Sequence, residues 1–328
     1  MTTPGDANDD ALRIGVIGCG RLTEQGYLRA LARVDGARLV ALADPDPIRR
    51  GRAAGIAAEL GDVVPTYRGI TSLLERARPD ALVLATPSSA HVSGAREAAA
   101  ASTPVLVEKP PAPDVVGAAE LAALAPAPWI AFNRRFSPGI AGLRARVADA
   151  GDVDLWCSIA YRRRSWRAHV VDDDALNDLG PHLVDWVRWL TGRVIVEVAA
   201  RQLSPGSFFV DVTLDHGHAH IIGTTDRMHH EHVVCRTAAG RSANRRVARW
   251  SAGGPVRAVT GRLRQGDHPL VTSLATELDA FVRAVRREPC PDLATAADGL
   301  VVMQVIAAAR ESAARNGSPV PVQAPEVP

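Results

Sequence analysis

The chain has 328 residues, 47% of them apolar and 23% charged, with a formal net charge of +2 at pH 7. This length accommodates two domains with separate cores, and the balanced charge predicts neither a nucleic-acid nor a membrane partner. Residues 1–10 are polar and acidic, so we expect a disordered tail rather than a secretory signal. The four scattered cysteines form no CxxC pair, which favours a reduced cytoplasmic protein.

From residue 13 onward, short apolar runs alternate with helical patterns, as is typical of a doubly wound parallel sheet. Strands are predicted at residues 13–17, 38–43, 63–67, 81–85, 104–108 and 129–132. Most of the segments between them have helical periodicity. We therefore predict an α/β Rossmann domain over residues 11–132.

Beyond residue 133, strand-like alternation dominates and is interrupted by one helix at residues 182–190. Strands are predicted at residues 155–161, 195–202, 208–214, 219–224 and 232–237, and closing helices at 274–286 and 296–313. Strands without crossover helices predict an α+β domain with a large, mostly antiparallel sheet over residues 133–318. Residues 319–328 are expected to be a frayed tail. One face of this sheet needs a cover, so we expect a homodimer or homotetramer.

A glycine-rich turn connects the first predicted strand to a helix. The residues expected to cradle a dinucleotide there are Gly18, Cys19, Gly20, Arg21 and Leu22. The glycines allow a tight turn and let a pyrophosphate approach backbone N–H groups at the helix start. Thr23 replaces the usual third glycine, and we expect it to loosen the packing of helix on strand.

Asp44 ends the second predicted strand, at the spacing expected for a carboxylate that binds the adenosine ribose hydroxyls. A carboxylate at this point disfavours a 2′-phosphate. NAD is therefore favoured over NADP, although Arg49 and Arg50 leave NADP open. The alternative for Asp44 is a simple capping role at the following helix.

Lys109 is the one lysine of the chain, and every other residue in the total of 38 Lys and Arg is arginine. A general preference of this chain for arginine over lysine should have replaced Lys109 too, unless this position cannot accept a guanidinium. A lysine ammonium is compact and can release its proton, which a guanidinium cannot do. Lys109 follows the fifth predicted strand, and ligands of open α/β sheets bind at the carboxyl ends of strands. We therefore expect Lys109 to act at the reaction site.

Several motifs together resemble the Gfo/Idh/MocA oxidoreductase family, named for glucose–fructose oxidoreductase and inositol dehydrogenase. They are GCGR at residues 18–21, DP at 44–45, TPSSAH at 86–91, EKP at 108–110, FNRRF at 132–136, WR at 166–167, DLGPHLVD at 178–185 and ELDAF at 277–281. The similarity covers nearly the whole chain. It implies an NAD(P)-dependent oxidoreductase that transfers hydride between nicotinamide and the alcohol or ketone of a sugar, a cyclitol or a nucleotide-sugar.

The resemblance also implies roles for individual residues. Cofactor contacts come from Thr86, Pro87, His91, Glu108, Lys109 and Pro110, with a cis peptide before Pro110. Substrate contacts come from Lys109, Asn133, Arg135, Trp166, Arg167, Asp178 and His182. Of these, Lys109, Asp178 and His182 are the catalytic set that gathers around the nicotinamide and the reacting carbon.

In this set His182 serves as general base or acid, Lys109 stabilises charge on the reacting oxygen, and Asp178 orients the pair. The roles of Lys109 and His182 could be exchanged. Pro181 suits a first helical turn, so we expect His182 near the positive helix end, which favours a neutral imidazole. Residues 172–177 depart from the glycine-rich turn of relatives, so the identity of the substrate is not carried over.

Two further patterns have alternative interpretations. Histidines at positions 216, 218, 220, 229, 230 and 232 resemble metal ligands, but residues 216–218 suggest a hairpin turn, and no obvious site is completed, so we expect no metal. The arginines at 162–164 and 167 form either a clamp for an anionic substrate or a solvated strand edge.

Two other functions stay open from the sequence. One is an NAD-dependent glycoside hydrolase, in which the substrate is oxidised only transiently. The other is a non-catalytic NAD-binding regulator, against which the intact set of Lys109, Asp178 and His182 argues. Reduction of an imine instead of a ketone is also open.

Overall fold

The computed structural model describes residues 10–147, 151–162, 174–237, 242–248 and 269–322. The chain divides into two compact units. Unit 1 comprises Met1–Phe136 and Asp267–Gly299, and unit 2 comprises Ser137–Gly266 and Leu300–Pro328. Residues 267–299, which the sequence analysis assigned to the second domain, thus group with the first unit. Among the described residues, no helix has the length and apolar character needed to cross a membrane.

The described strands, in chain order, are β1 (Leu12–Ile17), β2 (Ala37–Ala43), β3 (Thr66–Tyr67), β4 (Ala81–Leu84), β5 (Val105–Glu108), β6 (Trp129–Ala131), β7 (Val153–Arg162), β8 (Ile195–Ser204), β9 (Ser207–Leu214), β10 (Gly217–Thr224), β11 (Asp226–Thr237), β12 (Ser242–Ala248), β13 (Ala294–Thr295) and β14 (Val320–Pro321). The α-helices are α1 (Leu28–Leu31), α2 (Pro47–Glu59), α3 (Ile70–Ala77), α4 (His91–Ala100), α5 (Val115–Ala122), α6 (Ala141–Val147), α7 (Ala175–Thr191), α8 (Pro269–Val285) and α9 (Ala296–Ala314). A π-helix (Thr23–Tyr27) precedes α1, and 3-10 turns lie at Ser88–Ala90 and Asn133–Phe136.

Unit 1 has a seven-stranded sheet in the order β13-β6-β5-β4-β1-β2-β3. Its strands run parallel except β13, which pairs antiparallel with β6. Every residue of β4 and β5 is buried, as expected for central parallel strands that are covered on both faces. The Rossmann fold predicted from the sequence is therefore confirmed.

Helix α8 is the part of the later chain that completes the core of unit 1. Its buried residues Leu274, Leu278 and Phe281 belong to the same apolar cluster as Leu28 and Leu31 of α1. An amphipathic helix gains most of its stability by burying such a stripe. This packing explains why the segment belongs to unit 1 despite its distance along the chain.

Unit 2 has a seven-stranded sheet in the order β12-β11-β7-β10-β9-β8-β14. All of its pairings are antiparallel except that of β7 with β10, which is parallel. The predicted α+β unit with a mostly antiparallel sheet is thus confirmed. The predicted frayed tail is wrong at Val320 and Pro321, which pair with β8; residues 323–328 lie outside the described part.

Helix α7 begins seven residues earlier than predicted. Asp174 caps it by accepting a hydrogen bond from the Asn177 N–H at 2.8 Å, and Gly192 ends it in the left-handed region with φ of 66°. Pro181, which was predicted to lie in the first helical turn, lies inside the helix. An Asp cap is a stronger start signal than a proline, because its carboxylate satisfies an otherwise unpaired N–H of the first turn.

Candidate active site

The turn after β1 has the geometry of a dinucleotide cradle. Gly18 has φ of +94°, and a Cβ there would lie 2.4 Å from the Ala85 carbonyl oxygen. Only glycine suits both conditions. A Cβ at Gly20 would meet no protein atom within 4 Å, so the backbone on that side leaves room for close approach. These are the two properties that binding of a pyrophosphate demands of such a turn.

Asp44 is held by the backbone of this turn and of its own loop. Its carboxylate, 5% exposed, accepts the N–H of Cys19 at 2.8 Å and the N–H of Asp46 at 2.8 Å. The cap of α2 is Asp46, which accepts the N–H groups of Ile48 and Arg49. The capping alternative for Asp44 is therefore wrong. Its orientation suits the predicted ribose contact.

Arg49 and Arg50, which kept NADP possible as the cofactor, each contact a residue close to them in the chain. Arg49 forms an ion pair with Asp46 at 3.4 Å. Arg50 donates a hydrogen bond to the main-chain carbonyl of Asp44. Neither contact involves the Asp44 carboxylate, so both fit a site in which that carboxylate faces a ribose.

Thr23 is fully buried, and its hydroxyl donates to the Gly18 carbonyl at 2.5 Å, closing the turn with a bond that glycine could not make. The expected loosening of helix–strand packing stays a prediction. Cys19 is also buried, and burial together with the Asp44 carboxylate raises its pKa to about 12. It is a packing residue whose thiol stays protonated. Arg21 is exposed at the mouth of the turn, while Leu22 packs partly on the core.

The TPSSAH and EKP segments are joined by His91. This histidine is fully buried, with Nε2 2.9 Å from the Thr86 carbonyl and Nδ1 3.0 Å from the Pro110 carbonyl. Its ring thus fixes the loops after β4 and β5 relative to each other. The Thr86 hydroxyl is buried and has no hydrogen-bond partner among the residues that the structure describes. Pro87 precedes the 3-10 turn.

The EKP segment carries the one lysine at the carboxyl end of β5. The peptide between Lys109 and Pro110 is cis, as the family resemblance implied. Lys109 is partly exposed, while Glu108 is buried with its carboxylate directed to protein groups. Oε1 of Glu108 accepts the Tyr27 hydroxyl at 2.7 Å, and Oε2 accepts the Lys109 N–H at 2.9 Å. Burial raises the pKa of Glu108, against these two hydrogen bonds and the charge of Lys109.

Asn133 and Arg135, predicted to contact substrate, make contacts within unit 1. The Asn133 amide donates to the Ser273 hydroxyl at 3.1 Å. Arg135, 3% exposed, forms an ion pair with Asp298 at 3.7 Å and donates to the Asp292 carbonyl. Their substrate contacts stay predictions. Trp166 and Arg167 lie outside the described residues, as do Arg163 and Arg164 of the predicted clamp.

Asp178 and His182 lie one turn apart on α7 of unit 2, so they share one face of this helix. The Tyr161 hydroxyl donates to the Asp178 carboxylate. His182 is 5% exposed. Because α7 starts at Ala175, His182 lies in its third turn, beyond the reach of the positive helix end. The prediction that His182 lies near the positive end of the helix, and is neutral for that reason, is therefore wrong.

The histidines of the unit 2 sheet contact neighbouring polar groups. Nδ1 of His220 lies 2.6 Å from the Asp211 carboxylate, and Nδ1 of His216 lies 3.6 Å from that of Asp152. His232 contacts Asn244 at 3.0 Å. Within the described ranges, no three His, Cys, Asp or Glu side chains are grouped so as to hold a metal.

Residues of unit 1 fit a bound dinucleotide. The open backbone at Gly20 would take the pyrophosphate, the Asp44 carboxylate a ribose, and the buried Thr86 hydroxyl a polar group near the end of β4. The fold and these residues define a dinucleotide-binding Rossmann protein.

Comparison with known proteins agrees with this class. Residues 12–127 match the model of GFO_IDH_MocA, an oxidoreductase family with an NAD-binding Rossmann fold. Over these residues the chain matches the family that its sequence motifs resemble, so the predicted resemblance is confirmed.

Curated relatives extend the similarity. Inositol 2-dehydrogenase 2 of Saccharopolyspora erythraea is 33% identical over 196 residues, which cover 58% of this chain and 56% of the relative. The match thus spans little more than half the length of that relative. The rhizopine catabolism protein MocA of Rhizobium meliloti is 27% identical over 326 residues, covering 93% of this chain and 96% of its own.

A solved structure has the same fold. Scyllo-inositol dehydrogenase from Lactobacillus casei, with bound NAD(H) and scyllo-inositol, superposes with a TM-score of 0.75 at 20% identity. The similarity covers 95% of this chain and 99% of that one.

Proposed function

We propose that the protein is an NAD-dependent dehydrogenase that oxidises a CH–OH group of a cyclitol or a related polyol. The observation that carries the proposal is the Asp44 carboxylate, held by the N–H of Cys19 at the mouth of the glycine turn. The names of the curated relatives, several of them inositol 2-dehydrogenases, support a cyclitol as substrate. The carboxylate supports NAD as the cofactor, since it repels a 2′-phosphate.

The residues divide the chemistry between them. The glycine turn and Asp44 would hold NAD, whose nicotinamide would supply the hydride acceptor when bound. Lys109 donates a hydrogen bond to the substrate oxygen and stabilises the negative charge that develops there. His182 takes the hydroxyl proton as general base, and Asp178 orients its ring. The proton and the hydride thus leave the same CH–OH group, which becomes a ketone.

Lys109→Arg tests this assignment, because it keeps the charge but replaces the compact ammonium with a wider guanidinium. We expect kcat to fall at least about 100-fold, the loss typical for an essential proton-transfer or oxyanion group, with the Kd for NAD little changed. The measurement is NADH formation with a panel of inositols, beside NAD binding by calorimetry. Arg68→Lys, the reverse exchange at an exposed position of unit 1, is the matched control.

Two outcomes would contradict the proposal in different ways. Substantial turnover by Lys109→Arg would remove the lysine from the mechanism. A parent protein that binds neither NAD nor NADP would remove the dehydrogenase function itself. Glycoside cleavage without net NADH would instead identify the hydrolase alternative.

We also propose that the protein assembles into a homodimer or homotetramer through the sheet of unit 2. Helix α7 packs on β7, β9 and β10 and covers one face of that sheet. The other face carries Trp156, 41% exposed, whose ring stacks on His220 at 4.2 Å. An exposed aromatic on a wide sheet face that no described helix covers is typical of an interface.

A further inference from the structure

Unit 1 contains a buried cluster of acidic and phenolic groups beneath the EKP segment, which we call the Tyr27 cluster. It consists of Tyr27, Glu108 and Glu277, which are 0%, 7% and 0% exposed. Burying two carboxyl groups and a phenol is costly unless they bond to one another. The proposed reaction uses none of the three directly. The position of Glu108 beside the Lys109 main chain, with Tyr27 bonded to it, therefore calls for another explanation.

The contacts of the cluster lead from the glycine turn to the lysine. The Tyr27 hydroxyl donates to Oε1 of Glu108 at 2.7 Å, and Oε2 of Glu108 accepts the main-chain N–H of Lys109 at 2.9 Å. Each carboxylate oxygen of Glu108 thus accepts one hydrogen bond, one from Tyr27 and the other from Lys109. A carboxylate held in this way cannot rotate without breaking a buried hydrogen bond.

Tyr27 reaches Glu108 from an uncommon piece of helix. It ends the π-helix Thr23–Tyr27, which follows the glycine turn directly. Single turns of π-helix are rare and occur frequently at functional sites. The neighbouring Gly26 lies against α8, since a Cβ there would be 2.6 Å from the Leu274 side chain. Close packing therefore fixes the helix that carries the tyrosine.

Charges around Tyr27 keep its hydroxyl protonated. Burial and the carboxylates of Glu108 and Glu277 raise the pKa of Tyr27 well above its usual value. In return, the Tyr27 hydrogen bond and the charge of Lys109 lower the pKa of Glu108, which burial raises. Tyr27 is thus a constant donor, and it favours the ionised form of the acid that faces Lys109.

We propose that Tyr27 is a positioning residue for Lys109: it holds the Glu108 carboxylate, which fixes the Lys109 main chain and provides the countercharge of its ammonium. The inference rests on the proposed catalytic role of Lys109. It assigns Glu108 to the support of the lysine, whereas the sequence analysis assigned it to the cofactor.

Tyr27→Phe removes only the hydroxyl, and Glu108→Gln removes only the charge. Tyr67→Phe, which removes a phenolic hydroxyl elsewhere in unit 1, is the matched control. We expect kcat to fall about 10-fold in Tyr27→Phe, the effect of losing one hydrogen bond to a charged group, with the Kd for NAD unchanged. The acid limb of the kcat/KM profile moves to higher pH, because without its donor the pKa of Glu108 rises further.

A second measurement needs neither cofactor nor substrate. Because Lys109 is the one lysine of the chain, protein labelled with ¹³C-lysine gives one side-chain Cε signal. We expect this signal to shift in Tyr27→Phe and Glu108→Gln, and to stay in place in Tyr67→Phe. A purely structural role of Tyr27 would lower the melting temperature without moving the lysine signal or the pH profile.

The outcomes separate the two proposals. An unchanged lysine signal in Tyr27→Phe overturns the positioning role. If Tyr27→Phe does not fold, an unchanged lysine signal in Glu108→Gln overturns it. If the parent shows no NAD-linked turnover, the proposed function fails, while the NMR measurement on NAD-free protein still tests the link from Tyr27 to Lys109.

Discussion

His91 is enclosed by main-chain carbonyl groups from two loops, with Thr86 at one ring nitrogen and Pro110 at the other. A neutral imidazole has one N–H, so it donates to one of these carbonyls at a time. A protonated ring could donate to both, but burial outweighs this gain and lowers the pKa of His91 below the usual value of 6.5. The ring is therefore held neutral in the folded protein.

This neutral ring makes stability depend on pH. Below pH 6.5 the unfolded chain binds a proton at His91 that the folded ring resists, so the free energy of unfolding falls as the pH drops. One such group contributes a slope of up to about 1.4 kcal/mol per pH unit. We expect His91→Asn to show a shallower decline between about pH 6.5 and 5 than the parent, measured by urea unfolding.

Equal slopes for the parent and His91→Asn would contradict this prediction. A loss of stability that is the same at every pH would not contradict it, because removing a buried side chain lowers the free energy of unfolding at every pH. Glu108, whose pKa is raised, contributes with the opposite sign in both proteins. Its contribution therefore cancels in the comparison of slopes.

Two glycines in regular elements, one in a helix and one in a strand, are expected to respond in opposite ways to the same substitution. Gly55 lies exposed in α2, and a Cβ there would meet no atom within 4 Å. Gly55→Ala should stabilise unit 1 by about 0.5–1 kcal/mol through helix propensity. In β10, a Cβ at Gly223 would lie 2.2 Å from the Phe208 ring. Gly223→Ala should destabilise unit 2 by about 1–3 kcal/mol through overpacking.

Thermal and urea unfolding of the two variants would measure both effects. A Gly223→Ala variant as stable as the parent would show that Phe208 moves aside at no cost. A destabilised Gly55→Ala variant would show that α2 makes contacts through that face. Opposite signs for the same substitution are the expected result, because one site is open and the other is filled.

Elements with local signals were predictable from the sequence. The buried strands β1, β4 and β5 and the glycine turn follow from apolar runs and from residues with restricted backbone preferences. The start of α7 was wrong, because Pro181 was weighted above the Asp174 cap. The π-helix at Thr23–Tyr27 has no periodic signal of its own and was missed.

Long-range pairings in the candidate site could not be predicted. Tyr27 and Glu108 are 81 positions apart, and no local pattern links a tyrosine in one helix with the acid of a later strand. Glu277 lies on α8, and its burial depends on the return of this helix to unit 1. By contrast, the nearness of Asp44 to the glycine turn was predictable, because strand ends and glycine turns lie within one βαβ unit; the cofactor contacts of Asp44 and Gly18 stay predictions.

For the molecule as a whole, the proposed assembly can be tested at Trp156, on the sheet face opposite α7. Trp156→Glu places a charge where the interface is proposed, and burying an unpaired charge opposes association. We expect the parent to sediment as a dimer or tetramer and Trp156→Glu as a smaller species. Val63→Glu, at an 89% exposed apolar residue of unit 1, should sediment like the parent. A monomeric parent would rule out the assembly.

The return of residues 267–299 to unit 1 has a consequence for how the protein is made. On the ribosome the first Rossmann strands emerge well before α8 and β13, since all of residues 137–266 are translated in between. Until then Leu28 and Leu31 lack the helix that covers them in the finished protein. The nascent chain thus exposes apolar surface while unit 2 is being synthesised, and transient exposure of this kind is what chaperones bind. Expression yield should therefore depend on chaperone supply more than the stability of the finished protein would suggest.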